Sequence, residues 1–224
     1  MSARRWLGWA GIGAGLLWLS RPAWPRAFTF LRNAYRSVDE WANDRGAQIA
    51  RAFGLRPDPL SPAGEIGPAS MSADAWNRRK IGTLAGPYQS RFTAFTAAVQ
   101  RVARSHGAEL IIWDGQRPLA RQLDLFRRGR EGDGGAMVTY TMASNHILGL
   151  AADYVIRTPA GQPDWDLPRW WKTECLPLAT GYGLESLFIE KGIDPPHVQV
   201  PEAERPPVAV ATLRQIDADF PGLA

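Results

Sequence analysis

Two short segments of this 224-residue chain hold most of the side chains that could carry out chemistry. Residues 144–153 have the sequence SNHILGLAAD, and residues 194–199 have the sequence DPPHVQ. Together they contain two of the three histidines of the chain, His146 and His197. A hydrolytic zinc ion takes three protein ligands from histidine and carboxylate side chains and leaves a fourth position for water. His146, Asp153 and His197 supply that number, so the sequence predicts a catalytic site for one zinc ion.

The spacing inside the two segments predicts how the ligands reach one metal. Gly149 allows the backbone to turn tightly between the first two ligands. Asp153 is expected on a strand, which fixes the direction of its carboxylate. The two prolines at 195–196 are expected to hold the chain extended and stiff, so that Asp194 and His197 converge on the same ion. Asp194 is then the candidate general base, which takes a proton from the attacking water.

These segments and a third one resemble a known family. SNHILGLAAD matches the SxHxxGxAxD motif of the D-Ala-D-Ala carboxypeptidase and L-alanyl-D-glutamate endopeptidase metallopeptidases, the VanY-like enzymes that include many phage endolysins. DPPHVQ is similar to their second motif, in which an acid stands three residues before the last histidine. Residues 114–118 (DGQRP), followed by Gln122, Phe126 and Gly129, resemble the family's GYRS segment and its later Q, L/F and G positions. The three blocks occur in the family's order between about residues 85 and 200.

The resemblance implies further roles and an activity. The three zinc ligands and the base Asp194 are the same as those derived above. Arg117 would neutralise the oxyanion or hold a substrate carbonyl, and Ser144 would support the metal site from outside the ligand set. The implied reaction is zinc-dependent cleavage of peptidoglycan stem peptides in cell-wall lysis or remodelling. Asp rather than Glu at position 194 favours an L-Ala-D-Glu endopeptidase; the alternatives are a D-Ala-D-Ala carboxypeptidase and a non-catalytic zinc-binding wall module.

Two positions depart from the family pattern. Gln116 replaces the usual aromatic residue before the arginine, and Val198 replaces the usual aromatic residue after the last ligand. Neither position is a metal ligand, so both bear on substrate preference more than on zinc chemistry.

Some of the candidate residues also have a purely structural interpretation. Arg117 could pair with Asp114 or Asp124, and Ser144 could serve only as a turn residue. Tryptophans 165, 170 and 171 could line a sugar or peptide groove, although core packing is the simpler expectation. Gln122 is expected to orient a neighbouring loop. His106 precedes Gly107 at the end of a helical pattern, which favours a helix cap over a metal ligand.

The elements that must position these residues form a mixed pattern. Short strands are expected at residues 110–113, 150–156 and 197–200, and helices at residues 92–102 and from Pro118 to Phe126. One further helix is expected around tryptophans 170 and 171, and a final helix carries Val210, Leu213 and Ile216 on one face. This mixture predicts an α+β fold. The family resemblance implies a small antiparallel sheet with flanking helices, an architecture shared with the hedgehog signalling domain.

The chain is expected to comprise three regions. Arg4 and Arg5 precede an uncharged apolar run at 6–19, so residues 1–26 are interpreted as a signal or membrane-anchor segment. An uncleaved anchor, a cleaved signal peptide and a buried helix all remain open for it. Residues 27–72 are assigned to an amphipathic helix over 27–55 and a linker rich in proline and glycine over 56–72. Residues 73–224 form the zinc peptidase domain, which is expected to be exported, either membrane-anchored or periplasmic, and monomeric.

Charge and cysteine content limit the other classes of function. Residues 1–65 carry nine basic and five acidic side chains, whereas residues 66–224 carry 17 of each. Because the excess positive charge lies outside the predicted catalytic domain, nucleic acid is not an expected partner. The single cysteine, Cys175, excludes an internal disulfide framework.

Overall fold

The computed structural model describes residues 24–55, 71–128, 130, 138–139 and 141–220, with side chains described from Val38 onward. The predicted signal or anchor segment up to residue 23 lies outside the described residues, as does most of the linker predicted within 56–72. In the part of the chain that is described, no helix combines the length and the apolar character needed to cross a membrane. The boundary between two compact units falls between Trp41 and Ala42, and the following paragraphs concern the second unit.

The elements confirm an α+β fold with a small antiparallel sheet and flanking helices. In chain order the helices and strands are α1 (Trp24–Phe53), α2 (Ala73–Ile81), α3 (Gln89–Ser105), β1 (Leu110–Asp114), α4 (Leu119–Arg127), β2 (Ala151–Arg157), β3 (Pro163–Asp164), β4 (Glu185–Ser186), α5 (Leu187–Lys191), β5 (His197–Gln199) and α6 (Pro207–Asp219). The three predicted strands are present as β1, β2 and β5. The sequence did not indicate α2, α5 or the two-residue strands β3 and β4.

The sheet has the strand order β1-β2-β5-β4, with every pairing antiparallel and β3 paired to the end of β2. In this register Asp153 on β2 lies opposite His197 on β5. On its other side Asp153 pairs with Asp114 of β1, after an irregularity in the register between Ile112 and Asp114. The sheet therefore aligns two predicted zinc ligands and one acid of the DGQRP segment across three neighbouring strands.

The outer edge of β1 is covered by side chains from α2. Asn77 donates to the carbonyl of Leu110 (3.1 Å) and accepts from the backbone N–H of Ile112 (2.8 Å). The indole of Trp76 donates to the carbonyl of Ile112 (2.7 Å). These bonds satisfy the backbone groups that an edge strand would otherwise expose. The hydroxyl of Ser72 begins α2 by accepting from the N–H of Ala75 (3.2 Å).

The main core lies between the sheet and α3. Phe92, Phe95 and Val99 recur on one face of α3 and are fully buried. The ring of Phe95 packs edge-on against Tyr154 of β2 at a centroid distance of 5.5 Å. Because neighbouring residues of a strand point to opposite faces, the inward side chain of Tyr154 leaves Asp153 directed to the other face of the sheet.

The second half of α1 packs within the same unit as the sheet. Ile49 is buried, and a Cβ at Gly46 would lie 3.3 Å from the Cβ of Leu119 on α4. Arg45 forms an ion pair with Asp219 at the end of α6 (3.3 Å). The helix predicted over 27–55 is thus present, and the part after Trp41 contacts two helices of the predicted peptidase domain.

The segment around tryptophans 170 and 171 differs from the single helix predicted for it. It forms one π-helical turn, Trp171–Cys175, followed by a 3₁₀ helix, Leu176–Tyr182. Pro177 lacks the backbone N–H that a continuous α-helix would use there, which accounts for the break. Trp171 is fully buried, as the core interpretation predicts, and Trp170 stacks on His106. Trp165 is wrongly assigned to the core, because half of its surface is exposed.

His106 occupies the position expected of a helix cap. It directly follows α3, and Gly107 after it has a left-handed backbone (φ +69°). Its Nε2 lies 3.2 Å from a carboxylate oxygen of Glu174. The third histidine therefore caps the end of α3.

Candidate metal centre

His146 is positioned by a short 3₁₀ helix, Asn145–Leu148, whose two ends are both fixed. At its start, the hydroxyl of Ser144 accepts a hydrogen bond from the backbone N–H of His146 (3.4 Å). At its end, Gly149 has a left-handed conformation (φ +64°). A Cβ at Gly149 would come within 2.7 Å of the backbone nitrogen of Ala85, so only glycine fits. The predicted tight turn after the first ligand is present, and Ser144 acts on the backbone of that ligand.

The ring of His146 is oriented by a backbone carbonyl. Its Nδ1 lies 2.8 Å from the carbonyl oxygen of Gly115, which can only accept, so Nδ1 carries the proton. The other ring nitrogen, Nε2, faces Asp153, with 3.2 Å between Nε2 and Oδ1. Hydrogen bonding of the far ring nitrogen to a carbonyl is the usual arrangement for a histidine that binds metal.

The ring of His197 is oriented in the same way by Gln199, two residues further along β5. His197 Nε2 donates to Gln199 Oε1 (2.9 Å), which leaves Nδ1 facing Asp153 Oδ1 at 3.0 Å. The amide of Gln199 is itself fixed, since its Nε2 donates to Glu185 on β4 (2.5 Å) and its oxygen accepts from Asn145 (2.6 Å).

The three predicted ligand atoms form a nearly equilateral triangle. His146 Nε2, His197 Nδ1 and Asp153 Oδ1 are separated by 3.0, 3.1 and 3.2 Å. Tetrahedral zinc with bonds of about 2.0–2.1 Å spaces its ligands about 3.3 Å apart. All three residues are buried, and their potential ligand atoms face one another. The spacing of these three atoms fits a single metal ion bound between them.

The carboxylate of Asp153 is held in the ionised form that a metal ligand needs. Burial alone would raise its pKa, but His146 and His197 outweigh burial and hold the pKa well below the ordinary range. For His197, burial would lower the pKa, and the hydrogen bond and charge of Asp153 reverse that effect and raise it.

Asp194 reaches the metal site through a turn. The backbone N–H of His197 donates to the carbonyl of Asp194 (3.1 Å), which closes residues 194–197 into a β-turn. The expectation that prolines 195 and 196 keep the chain extended is therefore wrong. The carbonyl of Pro195 accepts from the indole of Trp171, and that of Pro196 accepts from the N–H of Tyr154 (both 2.9 Å). The turn is thereby fixed to the core and to β2.

The backbone of Asp194 has a left-handed conformation (φ +51°), alone among the described non-glycine residues. Its Oδ2 lies 3.9 Å from His197 Nδ1, and 49% of its side chain is exposed. Asp194 therefore borders the ligand triangle on the solvent side without being part of it. Partial burial and the nearby Asp153 raise the pKa of Asp194.

Arg117 binds the second oxygen of a ligand carboxylate. Its Nη2 donates to Asp153 Oδ2 (3.2 Å), and Nε and Nη2 both contact Asp114 Oδ2 (2.8 and 2.7 Å). Burial would lower the pKa of Arg117, but Asp114 and Asp153 outweigh burial and raise it. The structural interpretation, a pair with Asp114, is confirmed, and Arg117 also fixes the orientation of Asp153.

Gln122 connects Arg117 to the loop before the first motif. It accepts from Arg117 Nη1 (2.7 Å) and donates to Thr139 Oγ1 (3.2 Å) and to the carbonyl of Thr141 (2.6 Å). The prediction that Gln122 orients a neighbouring loop is confirmed.

The two departures from the family pattern lie at buried positions. Val198 is fully buried on β5, between His197 and Gln199, and points to the opposite face from both. Gln116 is buried beside the 3₁₀ helix, and its backbone N–H donates to the hydroxyl of Thr83 (3.2 Å).

The ligand triangle opens into a cleft of about 630 Å³. Arg117, Ser144 and Asp194 line this cleft together with the three ligands. Its outer wall includes the exposed side chains of Trp165 and Val138 and two arginines, Arg121 and Arg128. Trp165 thus lies where the groove interpretation placed it.

From the sequence, no role at the metal site was assigned to Gln199, Asp114, Asn145 or Glu185. Gln199 and Asp114 stand inside the quoted motifs, and Gln199 shares a strand face with His197, a signal that period-two alternation provides. Asn145 and Glu185 contact Gln199 from other segments of the chain, and these contacts become apparent only in the folded structure.

No protein-family model matches the chain, and no curated protein matches it either.

Proposed function

We propose that this protein is a zinc-dependent peptidase that cleaves peptidoglycan stem peptides, at the L-Ala-D-Glu bond. The observation that carries the proposal is the convergence of three oriented acceptor atoms within 3.2 Å, with the carboxylate of Asp194 on the open side of the group. A purely structural zinc site is normally closed by a fourth protein ligand, whereas this triangle faces a cleft.

His146, Asp153 and His197 would hold one zinc ion. Zinc in such a site supplies Lewis-acid chemistry, polarising a carbonyl group and lowering the pKa of water. The protein residues keep the ligand atoms in place: Gly115 and Gln199 fix the tautomers of the two histidines, and Arg117 holds Asp153.

Asp194 is suited to move the proton in peptide hydrolysis. It is half-exposed to the cleft, so a water molecule and a substrate both have access to its carboxylate. Its raised pKa brings it closer to the neutral range in which a general base works best. Asp194 accepts the proton of the attacking water and returns it to the leaving amine.

Arg117 supplies positive charge to the wall of the cleft. Its contacts with Asp114, Asp153 and Gln122 use four of the five guanidinium N–H groups. The remaining N–H on Nη1 can donate a hydrogen bond to the negative charge that develops on the carbonyl oxygen of the substrate.

The substrate class and the location rest on the sequence motifs. The ordered set DGQRP, SNHILGLAAD and DPPHVQ resembles the VanY-like peptidases, which act on cell-wall peptides, and the hedgehog-like arrangement of sheet and helices is proposed on the same ground. An exported chain, held at a membrane by residues 1–26, would meet that substrate.

Digestion of purified sacculi tests the proposal, with Asp194→Asn as the inactive control. Mass spectrometry of the products is expected to show stem peptides that begin with D-Glu. Release of free D-Ala alone would instead identify a carboxypeptidase. If the protein binds zinc but releases no new amino groups from the sacculi, it is a binding module, and the proposed peptidase activity is overturned.

A further inference from the structure

Two arginines in the wall of the catalytic cleft have no anionic partner within the part of the chain that the structure describes. Arg121 and Arg128 both line the cleft that holds the ligand triangle. Within the described residues, neither forms an ion pair or a side-chain hydrogen bond. By contrast, Arg117 in the same cleft is paired with two carboxylates. Unpaired guanidinium groups beside a reaction site are suited to bind an anionic group of the substrate.

The two arginines are placed together by α4. Arg121 lies in the first turn of this helix and Arg128 directly follows its last residue, seven positions later. Seven residues correspond to about two helical turns, so both project from the same side of the helix. Burial, and after it the positive charge of Arg128, lowers the pKa of Arg121.

Among the residues that the structure describes, no acid forms an ion pair with Arg121 or Arg128. The carboxylates of Asp114 and Asp124 act on Arg121 electrostatically and favour its charged form, and neither forms an ion pair with it in the described structure. Asp114 is already bound by Arg117. Two like charges that share one side of a cleft repel each other, and an anion bound between them would offset that cost.

We propose that Arg121 and Arg128 bind a free carboxylate of the peptide substrate and so select peptides that carry this charge near the scissile bond. This inference rests on the proposed peptidase activity and adds a feature of the substrate to it. Guanidinium groups bind carboxylates through paired hydrogen bonds, which gives both affinity and orientation.

Both bonds considered for this site offer such a carboxylate. In the stem peptide, D-Glu continues the chain through its side-chain carboxyl, so its α-carboxylate stays free next to the L-Ala-D-Glu bond. A terminal D-Ala likewise carries a free carboxylate next to the bond that a carboxypeptidase cleaves. The shared chemistry is a carboxylate on the residue that leaves as the amine, and synthetic peptides can distinguish the two sources.

The test compares three stem peptides: one with both carboxylates free, one with the D-Glu α-carboxylate amidated, and one with the C-terminal carboxylate amidated. The zinc-loaded full-length protein is compared with Arg121→Gln and Arg128→Gln. Arg214→Gln is the charge-matched control, because Arg214 is exposed on α6 and lies outside the cleft.

We expect the wild-type protein to lose about tenfold or more in kcat/KM when the recognised carboxylate is amidated, as for a lost hydrogen bond to a charged group. Compared with the wild-type protein, Arg121→Gln and Arg128→Gln should have a kcat/KM that is lower by a similar factor on the peptide with free carboxylates. On the amidated peptide their kcat/KM should differ little from that of the wild-type protein. Arg214→Gln should retain the wild-type preference. If kcat/KM falls only on amidation of D-Glu, the bound group is the D-Glu α-carboxylate. If it falls only on amidation of the C-terminus, the bound group is the C-terminal carboxylate.

Binding provides a second measurement that does not depend on turnover. In Asp194→Asn, calorimetry should show tighter binding of the free peptide than of the amidated peptide, and adding Arg121→Gln should remove the difference. Equal cleavage and equal binding of all peptides by all variants would overturn the arginine site while leaving the peptidase activity intact. If the wild-type protein binds the free peptide with this preference but cleaves none of the three, the proposed activity fails and the anion site stands.

Discussion

Asp153 on β2 lies directly opposite His197 on β5, and the 3.0 Å between Asp153 Oδ1 and His197 Nδ1 is set by the register of the sheet. The two side chains belong to neighbouring strands of one sheet, so their separation does not depend on a mobile connection. His146 is added to this pair by a turn that Ser144 and Gly149 hold at its two ends. Two ligands from strands and one from a capped turn make a preorganised site.

The first prediction concerns metal content. Purified protein should contain about one zinc ion per chain, and His146→Ala should remove it, because the two remaining ligands leave the site incomplete. Metal analysis of the two proteins is the measurement. His106→Ala is the matched control and should retain zinc, since His106 caps α3 beside Glu174. Full zinc occupancy in His146→Ala would show that the metal is bound elsewhere.

The second prediction separates the base from the ligands. Asp194→Asn should keep its zinc and lose about 10²- to 10⁴-fold in hydrolysis rate, because the amide cannot accept the proton of the attacking water. Parallel metal analysis and peptide cleavage are the measurements. Asp217→Asn, at an exposed position of α6, should behave as wild type. Loss of metal from Asp194→Asn would make Asp194 a ligand, and full activity would remove it from the mechanism.

The third prediction concerns the residue that orients His197. Gln199→Leu removes the acceptor of the Nε2–H bond and frees the ring to change tautomer, so zinc affinity should fall about 10- to 100-fold. Competition with a chelator of known affinity measures this change. Gln162→Leu, at an exposed position after β2, is the control. Unchanged affinity in Gln199→Leu would mean that the strand alone fixes the ring.

The fourth prediction concerns the helix that precedes the sheet domain in the chain. Ile49→Ala should lower the free energy of unfolding by about 2–5 kcal/mol, because the side chain is buried and leaves a cavity. Gln48→Ala, at an exposed position beside it, should change stability by less than about 0.5 kcal/mol. Chemical denaturation of both variants gives the comparison. Equal stability would show that α1 is not needed by the domain.

The sequence predicted those parts of the site that depend on local spacing. The SNHILGLAAD segment contains its own turn, because Gly149 takes a left-handed backbone conformation. Asp153 is the third residue of the strand that follows this turn. The strands expected at 110–113, 150–156 and 197–200 and the helix expected at 92–102 were likewise predicted from short local segments, and together they indicated the α+β fold.

What the sequence did not predict depends on contacts between distant segments. The β-turn at 194–197 is held by Trp171 and Tyr154, so its closure is not encoded in the two prolines alone. Glu185 reaches Gln199 from a two-residue strand that has no periodicity to detect. Trp165 is apolar enough for a core, yet the fold places it on the cleft wall.

The most direct test of the account is zinc titration of the metal-free protein during digestion of purified sacculi. After a chelator has removed the metal, the account predicts no release of peptide amines, and a linear return of activity that stops at one zinc per chain. His197→Ala should stay inactive throughout the titration. Sacculus digestion that continues unchanged in the metal-free protein would contradict the proposed zinc peptidase.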